Sequence, residues 1–157
     1  GTPLLLQLFL IFFGAPVLGL DINPWIAAGI ALILNSGAFL GEIWRGCIQA
    51  IPRGQWEAAE ALSLSYTSRM RDVVLPQAMK IAVAPTVGYM VQIIKGTSLA
   101  AIIGFTEITR AGQIINNATF QPLLVFSVVA SLYFVICWPL SLLASRLERR
   151  QARALAR

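Results

Sequence analysis

The chain has 157 residues, of which 57% are hydrophobic and 12% are charged, and its formal net charge is +5. This composition is too apolar for an ordinary soluble domain, and the absence of histidine excludes histidine-based catalysis and most zinc sites. The two cysteines, Cys47 and Cys137, lie in or beside apolar segments without metal-ligand spacing, so we expect two reduced thiols rather than a disulfide.

Uncharged apolar runs fill most of the sequence. They cover residues 1–20, 22–41, 81–94, 96–106 and 111–145. A helix needs about 20 mostly apolar residues to cross the hydrocarbon core of a bilayer. We therefore predict an all-α membrane protein with four transmembrane helices, the third of which joins two shorter runs across Lys95. Since Gly1 is not a start methionine and no basic segment precedes the first run, that run is not a signal peptide and the chain is expected to be truncated or processed at its N-terminus.

Proline and glycine mark the expected ends of these helices, because proline fits the first turn of a helix but interrupts its interior. The first helix is predicted to end at Gly14-Ala15-Pro16, and the second near residues 47–50. The predicted starts of the four helices are Thr2-Pro3, Pro24, Pro85 and Pro122.

A long polar stretch separates the second and third helices. Within it, Trp56–Leu62 is rich in alanine, glutamate and leucine, which favour a helix. Ser65 is a suitable N-cap for a second short helix over Tyr66–Val74. Leu75-Pro76 is predicted to end that helix, since proline cannot donate the next backbone hydrogen bond. The polar stretch is therefore predicted to form a helical hairpin.

Two interpretations of this hairpin are open. One is an amphipathic element that lies on the lipid headgroups. The other is a docking surface for a second protein. The acidic side chains of Glu57, Glu60 and Asp72 favour docking, because an anionic leaflet would repel them.

Basic residues are concentrated at two places, which indicates the orientation of the chain in the membrane. They are Arg45, Arg53, Arg69, Arg71 and Lys80 around the hairpin, and Arg146, Arg149, Arg150, Arg153 and Arg157 in the C-terminal tail. By the positive-inside rule both regions are predicted to be cytoplasmic and in contact with anionic membrane lipid. The connections around residues 14–24 and 105–120 carry few basic residues and are predicted to face outward. No basic groove interleaved with aromatic residues is present, so no nucleic-acid partner is expected.

Six sequence features resemble one family of membrane proteins. They are Glu57-Ala58-Ala59 with Leu75-Pro76, Gly1-Thr2-Pro3-Leu4-Leu5-Leu6-Gln7, Gly41-Glu42-Ile43-Trp44-Arg45-Gly46, Lys95-Gly96-Thr97-Ser98-Leu99, Glu107-Ile108-Thr109-Arg110 and Leu147-Glu148-Arg149-Arg150. The first is similar to the "EAA" loop of the permease subunits of ABC importers. The others resemble the branch of that family that imports polar amino acids such as histidine, glutamine, glutamate or arginine, and together they extend over essentially the whole chain.

The resemblance implies a permease subunit in the inner membrane of a bacterium. It implies no catalytic residue, cofactor or metal in the chain itself, because ATP is hydrolysed by separate ATP-binding-cassette ATPase subunits. The other implied partners are an extracytoplasmic substrate-binding protein, a second permease (identical or paralogous) and a polar amino acid as substrate. Residues 1–157 would form one N-terminally truncated permease domain, with five transmembrane helices in the complete protein.

Within that domain, the resemblance assigns residues 55–77 to a cytoplasmic coupling loop. In this family the loop inserts into a groove of the ATPase and transmits its nucleotide-driven closure to the membrane helices. The residues that match the motif are Glu57, Ala58, Ala59, Ser63, Leu75 and Pro76.

Two positions depart from the family pattern. Ser63 replaces the glycine of the loop, and if the turn needs a positive φ, serine costs about 1 kcal/mol relative to glycine. Gly96 replaces the acidic residue that commonly follows the lysine, which removes a possible partner of Lys95 and leaves the charge class of the substrate open.

Ionisable residues inside a membrane span usually face a cavity or a partner, and Lys95 is the clearest case. One hypothesis is that Lys95, Thr97 and Ser98 line the translocation path and bind the substrate's carboxylate. The alternative is that Lys95 pairs with Glu42 or extends its ammonium group outward. Glu42 is itself a candidate for the substrate's ammonium group.

Glu107 and Arg110 form a second pair of charged residues, three positions apart in the connection before the last helix. A solvated ion pair is expected there, and contact with the substrate-binding protein is the alternative.

An ion-coupled secondary amino acid transporter is the alternative function. That class would be expected to show internal repeats and acidic residues near the bilayer midplane. No repeat is visible, and only Glu42 approaches such a position. A structural membrane subunit would have little reason to place Lys95 in a span, and an enzyme would need a nucleotide-binding loop, a triad or a metal cluster. ATP-driven import is therefore favoured, with the particular amino acid and the choice between homodimer and heterodimer left open.

Overall fold

The computed structural model describes the backbone of residues 1–155 and the side chains of residues 1–151. Within that range the chain is helical and contains no strand, so the predicted all-α class is confirmed. The α-helices of the described chain are α1 (Leu4–Gly14), α2 (Pro24–Gln49), α3 (Arg53–Ala61), α4 (Tyr66–Ser68), α5 (Leu75–Gly96), α6 (Ile108–Thr119) and α7 (Pro122–Leu155). Two 3-10 segments, Pro16–Leu18 and Thr97–Ile103, and a π-helix at Arg69–Val74 complete the helical structure. The tail residue Arg157 lies outside the described residues.

Three helical segments of the described chain are long and apolar enough to cross a membrane. They are Pro24–Gln49, Tyr66–Ile103 and Pro122–Gln151. The first apolar helix, α1, ends at Gly14 as predicted, but its 11 residues extend over only roughly 16 Å at the rise of an α-helix. The four predicted apolar helices are therefore present, and the first is shorter than the predicted span.

Of the predicted helix boundaries at proline, those at Pro24 and Pro122 are right and those at Pro76 and Pro85 are wrong, while α1 begins at Leu4, directly after Pro3. α2 begins at Pro24 and α7 begins at Pro122, as predicted. Pro85, however, lies inside α5, and Pro76 is the second residue of α5 rather than the end of the preceding helix. Because Tyr66–Ile103 is continuous, the predicted stop at Leu75-Pro76 and the predicted start at Pro85 are both wrong.

The π-helix at Arg69–Val74 explains how the chain remains helical through Pro76. Proline has no N–H to donate, and its ring crowds the carbonyl four residues earlier, here that of Asp72. A π-helix has a wider turn, since its hydrogen bonds join residues five apart. The wide turn directly before Pro76 leaves space for the proline ring, so the helix continues without a break.

Contacts between residues divide the chain into two compact units. The first contains Gly1–Gly37 and Met90–Leu140, and the second contains Ala38–Tyr89 and the chain from Ser141 onward. Both units are packed through small side chains, because 11 of the 19 apolar residues buried within residues 1–151 are alanines. Small residues let helix backbones approach closely. Both cysteines are buried and free, as predicted.

In the first unit, α1 packs against α2 and against the 3-10 segment Thr97–Ile103. The aromatic rings of Trp25 and Phe105 lie beside this core, with their centroids 4.4 Å apart. A Cβ at Gly96 would lie 3.1 Å from Cδ2 of Leu4. The close approach of α1 therefore gives a packing reason for the small residue at position 96.

The connection before the last helix contains a helix of its own, α6, that packs against α7. A Cβ at Gly112 would lie 2.6 Å from Cγ2 of Val129 and 3.6 Å from Cγ1 of Val125. α6 ends at Thr119, and its C-cap Phe120, with a φ of 55°, reverses the chain just before α7 begins. The missing side chain at Gly112 thus permits the close contact between the two helices.

In the second unit, α3 packs along the π-helix. A buried cluster of Ile51, Val74 and Ala78 fixes this arrangement, and the partly buried side chains around it include Trp56 and Met70. The hairpin predicted from the sequence is therefore anchored by apolar packing to the end of α2 and the start of α5.

Candidate functional site

The first candidate site is the helical hairpin formed by α3, α4 and the π-helix. Its predicted residues lie on different faces. Ala59 is 2% exposed and packs inward, whereas Glu57 and Ala58 are exposed on the opposite side of α3. Leu75 and Pro76 are half-buried at the base of the hairpin. The structure thus brings Glu57 and Ala58 to the free side of α3 and uses Ala59 for packing.

The turn of the hairpin has the backbone conformation for which glycine is favoured. Ser63 has a φ of 55°. Its N–H donates to the carbonyl of Glu60 at 2.8 Å, and the N–H of Leu64 donates to the carbonyl of Ala59 at 3.2 Å. This pair of bonds is a Schellman motif, which usually has glycine at the left-handed position. Ser63 therefore has the positive φ at which serine is less stable than glycine.

Side-chain hydrogen bonds hold the two arms of the hairpin together. Nη1 of Arg69 pairs with Oε2 of Glu60 at 3.4 Å near the tip. Gln77 donates from Nε2 to Oε1 of Gln55 at 3.1 Å near the base. The hydroxyl of Ser65 accepts from the backbone of the following helix, which confirms its predicted role as an N-cap. The hairpin is consequently a defined body rather than a loose loop.

Two large apolar side chains are exposed at the tip of the hairpin. Leu62 is 74% exposed and Tyr66 is 70% exposed. Leu62 lies one helical turn beyond Ala58 on the same side of α3. We call Glu57, Ala58, Leu62 and Tyr66 the free face of the hairpin. Leu62 and Tyr66 were not predicted as site residues, although apolar residues in a polar loop are a usable signal.

The second candidate site is a pocket in the first unit, with a volume of about 320 Å³. Its polar lining residues are Lys95, Ser98, Thr109 and Tyr133. Apolar side chains of α7, including Phe126, form the rest of the wall. Two of the predicted path residues, Lys95 and Ser98, are therefore brought together with two residues that the sequence analysis did not select.

The hydroxyl groups next to Lys95 are bonded to the helix that carries them. Oγ1 of Thr97 donates to the carbonyl of Ile94 at 2.7 Å, and Oγ of Ser98 donates to the carbonyl of Lys95 at 2.6 Å. Their protons are thereby committed, so each oxygen is left as an acceptor. The Lys95 side chain is exposed and supplies donors only.

Glu107 connects α6 to α7 at this pocket. Its carboxylate accepts from the backbone N–H groups of Thr109 at 2.8 Å and Arg110 at 2.7 Å, so it caps the N-terminus of α6. It also accepts from the hydroxyl of Tyr133 at 2.6 Å. The hydroxyl of Thr109 in turn donates to the Tyr133 oxygen at 3.4 Å. Both carboxylate oxygens are therefore occupied.

This arrangement overturns the predicted ion pair between Glu107 and Arg110. The carboxylate bonds to the backbone of Arg110, while the guanidinium group donates to Oε1 of Gln113 at 3.1 Å. The physical reason is that the N–H groups of the first turn of a helix have no partner within the helix, so they donate to a carboxylate at this position.

Glu42, the last predicted path residue, lies in the second unit near the end of α2. Its Oε2 pairs with Nη2 of Arg45 at 2.6 Å, and both side chains are exposed. Arg45 also donates to Oε1 of Gln49 at 3.2 Å. The carboxylate of Glu42 is therefore already engaged by a cation on its own helix.

Comparison with known proteins adds a second line of evidence. The family described as binding-protein-dependent transport system inner membrane component matches residues 1–153. A probable amino-acid ABC transporter permease protein of Bacillus subtilis is 37% identical over 97% of this chain and 67% of its own length. The L-cystine transport system permease protein of the same organism is 38% identical over 100% of this chain and 68% of its own length.

Two further similarities are of the same kind. The glutamine transport system permease protein of Escherichia coli is 40% identical over 96% of this chain and 69% of its own length. A crystal structure of an amino acid ABC transporter with histidines superimposes with a TM-score of 0.90 and 37% identity. The superposition covers 96% of this chain and 70% of that one.

Proposed function

Because the chain belongs to the family of binding-protein-dependent transport system inner membrane components, we propose that it is the permease subunit of an ATP-driven importer of polar amino acids. The relatives described above are named as ABC or amino acid transport permeases. Nothing among them supports the alternative of an ion-coupled secondary transporter. The partners are ATPase subunits, an extracytoplasmic substrate-binding protein and a second permease, identical or paralogous.

The hairpin is the structural observation that carries this proposal. The side chains of Trp56 and Ala59 pack against the rest of the second unit, whereas the free face of the hairpin is exposed. A short helix that is held by packing on one face and exposes polar and apolar side chains on the other suits insertion into a groove of another protein. The small side chain of Ala58 permits close approach to the walls of that groove.

The same geometry supports a coupling role for residues 55–77. The Gln55–Gln77 and Glu60–Arg69 contacts join α3 to the arm that continues into α5. A displacement of the hairpin is therefore transmitted to the start of α5. ATP binding closes the ATPase subunits and moves the hairpins inward, the permease helices switch from inward-facing to outward-facing, and hydrolysis resets them.

The substrate path follows the pocket of Lys95. Lys95 meets the carboxylate of the amino acid, with Thr97 and Ser98 beside it, and the path is completed by the second permease. Glu42, whose carboxylate pairs with Arg45, is a further candidate for contact with the substrate's ammonium group. In this proposal the hairpin and the C-terminal tail are cytoplasmic and the tail arginines contact anionic lipid.

The test of the coupling role is the change Glu57→Lys in the full-length protein, reconstituted in proteoliposomes with its ATPase and binding protein. Reversing an exposed charge on a docking face removes favourable contacts and adds like-charge repulsion, so we expect ATP-dependent uptake to fall by about tenfold or more. Co-purification of the ATPase should fall in parallel.

The matched control is Glu148→Lys, which makes the same charge change at an exposed position of α7. Its uptake and ATPase co-purification should equal those of the wild type. Uptake that continues without ATP, and that is the same in the Glu57 variant as in the wild type, would contradict the proposed function.

A further inference from the structure

The π-helix at Arg69–Val74 is firmly held at the end that joins α5. Val74 is fully buried in the apolar cluster at the base of the hairpin. Nε2 of Gln77 donates to Oε1 of Gln55 at 3.1 Å and to the carbonyl of Val73 at 2.9 Å, so one side chain ties the π-helix to α3. This end of the π-helix therefore cannot turn without loss of apolar packing and of two hydrogen bonds.

The opposite end of the π-helix, towards the tip of the hairpin, is held weakly. It follows α4, which is a single turn of three residues, and Tyr66 at the start of that turn is 70% exposed. A salt bridge joins this end to α3, but its two atoms, Nη1 of Arg69 and Oε2 of Glu60, are 3.4 Å apart and the Glu60 side chain is 72% exposed. Exposed ion pairs of this kind contribute little to stability. The tip can therefore rotate more readily than the start of α5.

The π-helix also carries two opposing preferences. Its wide turn keeps the ring of Pro76 away from the carbonyl of Asp72, so Pro76 favours a π-helix over an α-helix here. However, a hydrogen bond between residues five apart, such as that from the N–H of Leu75 to the carbonyl of Met70, is rarely adopted. Nε of Arg69 is buried and has no hydrogen-bond partner among the described residues, which is a cost that another arrangement can remove. The segment thus has the balance of preferences that a two-state element requires.

Conversion of the π-helix into an α-helix would rotate the tip of the hairpin. A π-turn holds one residue more than an α-turn, and each residue of an α-helix turns the chain by about 100° and advances it by about 1.5 Å. Because the end at α5 is fixed, α4 takes up this step, and Tyr66 changes its direction relative to Glu57 and Ala58. Met70 packs beside the buried cluster, and its flexible side chain can follow the rotation.

We propose that the π-helix is a two-state joint, which reorients the tip of the hairpin during transport while the base stays attached to α5. The segment is a π-helix in the nucleotide-free complex and becomes an α-helix when the ATPase closes on ATP. Pro76 sets the resting state, and contacts between Tyr66 and the ATPase favour the rotated state. The inference rests on the proposed function, because the ATPase supplies the free energy, and it adds a movement within the hairpin to the movement of the hairpin as a whole.

The test measures distances between two spin labels by electron paramagnetic resonance, in the full-length permease bound to its ATPase. The pair Thr67→Cys and Lys80→Cys spans the π-helix, whereas the control pair Arg53→Cys and Lys80→Cys joins the start of α3 to α5. These three positions are exposed and the native thiols are buried. Between the nucleotide-free complex and a complex with ATP bound to a hydrolysis-deficient ATPase, the first distance should change by about 5 Å or more, as for a one-residue rotation. The control distance should stay the same.

Deletion of Arg71 tests whether the extra residue of the π-helix is the cause. The deletion leaves a regular α-helix with α4 and α5 in their present orientation, because it removes the residue that the wide turn accommodates. It should abolish the distance change and, with it, most of the ATP-driven uptake. The matched control is Arg71→Ala, which removes the same side chain, 83% exposed, without shortening the chain. This control should keep both the distance change and the uptake.

Pro76→Ala tests the preference that holds the resting state. Without the proline ring, the α-helix no longer crowds the carbonyl of Asp72. The distance between labels at positions 67 and 80 in the nucleotide-free complex should therefore shift towards the value of the ATP-bound wild type.

Three results would overturn the inference while leaving the proposed function in place. They are an unchanged distance across the π-helix in a labelled complex that carries out ATP-driven uptake, equal changes in both label pairs, and full uptake by the Arg71 deletion variant. If the wild-type complex has no ATP-driven uptake, the proposed function itself fails. The distance measurement keeps the native length of the chain, so it does not depend on how well the deletion variant folds.

Discussion

Ser63 and Glu107 occupy positions at which the backbone geometry decides what a side chain can do. Ser63 has the left-handed conformation required by the turn between α3 and α4, although a residue with a Cβ is strained there. Glu107 lies at the start of α6, where unpaired N–H groups attract a carboxylate. In both cases the local backbone conformation limits what the side chain at that position can do.

The cost at Ser63 leads to a stability prediction. Ser63→Gly should stabilise the protein by about 1 kcal/mol, because glycine adopts a positive φ without a steric penalty. For a chain of this size, that gain should raise the Tm by about 2–4 °C. The measurement is thermal unfolding of the detergent-solubilised protein, followed by circular dichroism.

Ser65→Gly is the matched control for this prediction. It is the same substitution two residues away, at a position with a φ of −60° where the hydroxyl caps the next helix. It should give no gain and lower the Tm slightly. Equal shifts in the two variants would show that strain at Ser63 is not the cause.

The individual site residues could be predicted only in part from the sequence. Lys95 is conspicuous because a charge interrupts an apolar run, and the exposed Glu57 lies in a recognisable motif. Tyr133 gives no such signal, since it lies in the apolar run of the last helix and its partner Glu107 is 26 residues away. A contact of this kind depends on how α6 folds back on α7, which composition and spacing do not specify.

At the scale of helices, four of the prolines show why the ends of a helix are harder to predict than its presence. Pro24 and Pro122 follow loops, so each begins a helix as its fixed φ favours. Pro76 follows a π-helix that makes room for its ring, and Pro85 lies inside α5. The sequence distinguishes the two cases poorly, because a proline in a long apolar helix is tolerated when neighbouring groups satisfy the freed carbonyl.

The contact between α6 and α7 gives a prediction in which packing opposes helix propensity. Gly112→Ala should improve the propensity of α6 by about 1 kcal/mol. Nevertheless, we expect it to lower the Tm, because the added Cβ would lie 2.6 Å from Cγ2 of Val129, a side chain with little rotamer freedom. The measurement is again thermal unfolding in detergent, with α-helix content checked at low temperature.

Gly29→Ala serves as the control for the packing effect. Gly29 lies within α2, and apart from its chain neighbours and the backbone of its own helix, no heavy atom lies within 4 Å of a Cβ built there. The propensity gain should therefore appear without a clash, and the Tm should stay the same or rise. A Gly112 variant as stable as the wild type would disprove the close packing of α6 on α7.

At the scale of the whole molecule, the proposed orientation can be tested by labelling cysteines. The native thiols at Cys47 and Cys137 are only 7% and 6% exposed, which should keep the background low. Thr67→Cys places a reactive thiol on the exposed hairpin, and Asn117→Cys places one on the exposed side of α6. A membrane-impermeant maleimide should label the Asn117 variant in intact cells.

The Thr67 variant should react with the same reagent only after the inner membrane has been permeabilised. The two variants act as controls for each other, since each has one new thiol in the same background. Labelling of both from outside, or the reverse pattern, would contradict a cytoplasmic hairpin.

The prevalence of buried alanine has a consequence for how this protein tolerates genetic change. In the part of the chain whose side chains the structure describes, 11 of the 19 buried apolar residues are alanine, distributed over both units. A single-nucleotide change in an alanine codon gives valine, threonine, proline, serine, glycine, or an acidic residue. All of these except glycine add atoms where helices already touch. Random missense mutations should therefore damage this chain by overfilling its interior more often than by leaving cavities, and inactivating alleles should be enriched at alanine codons.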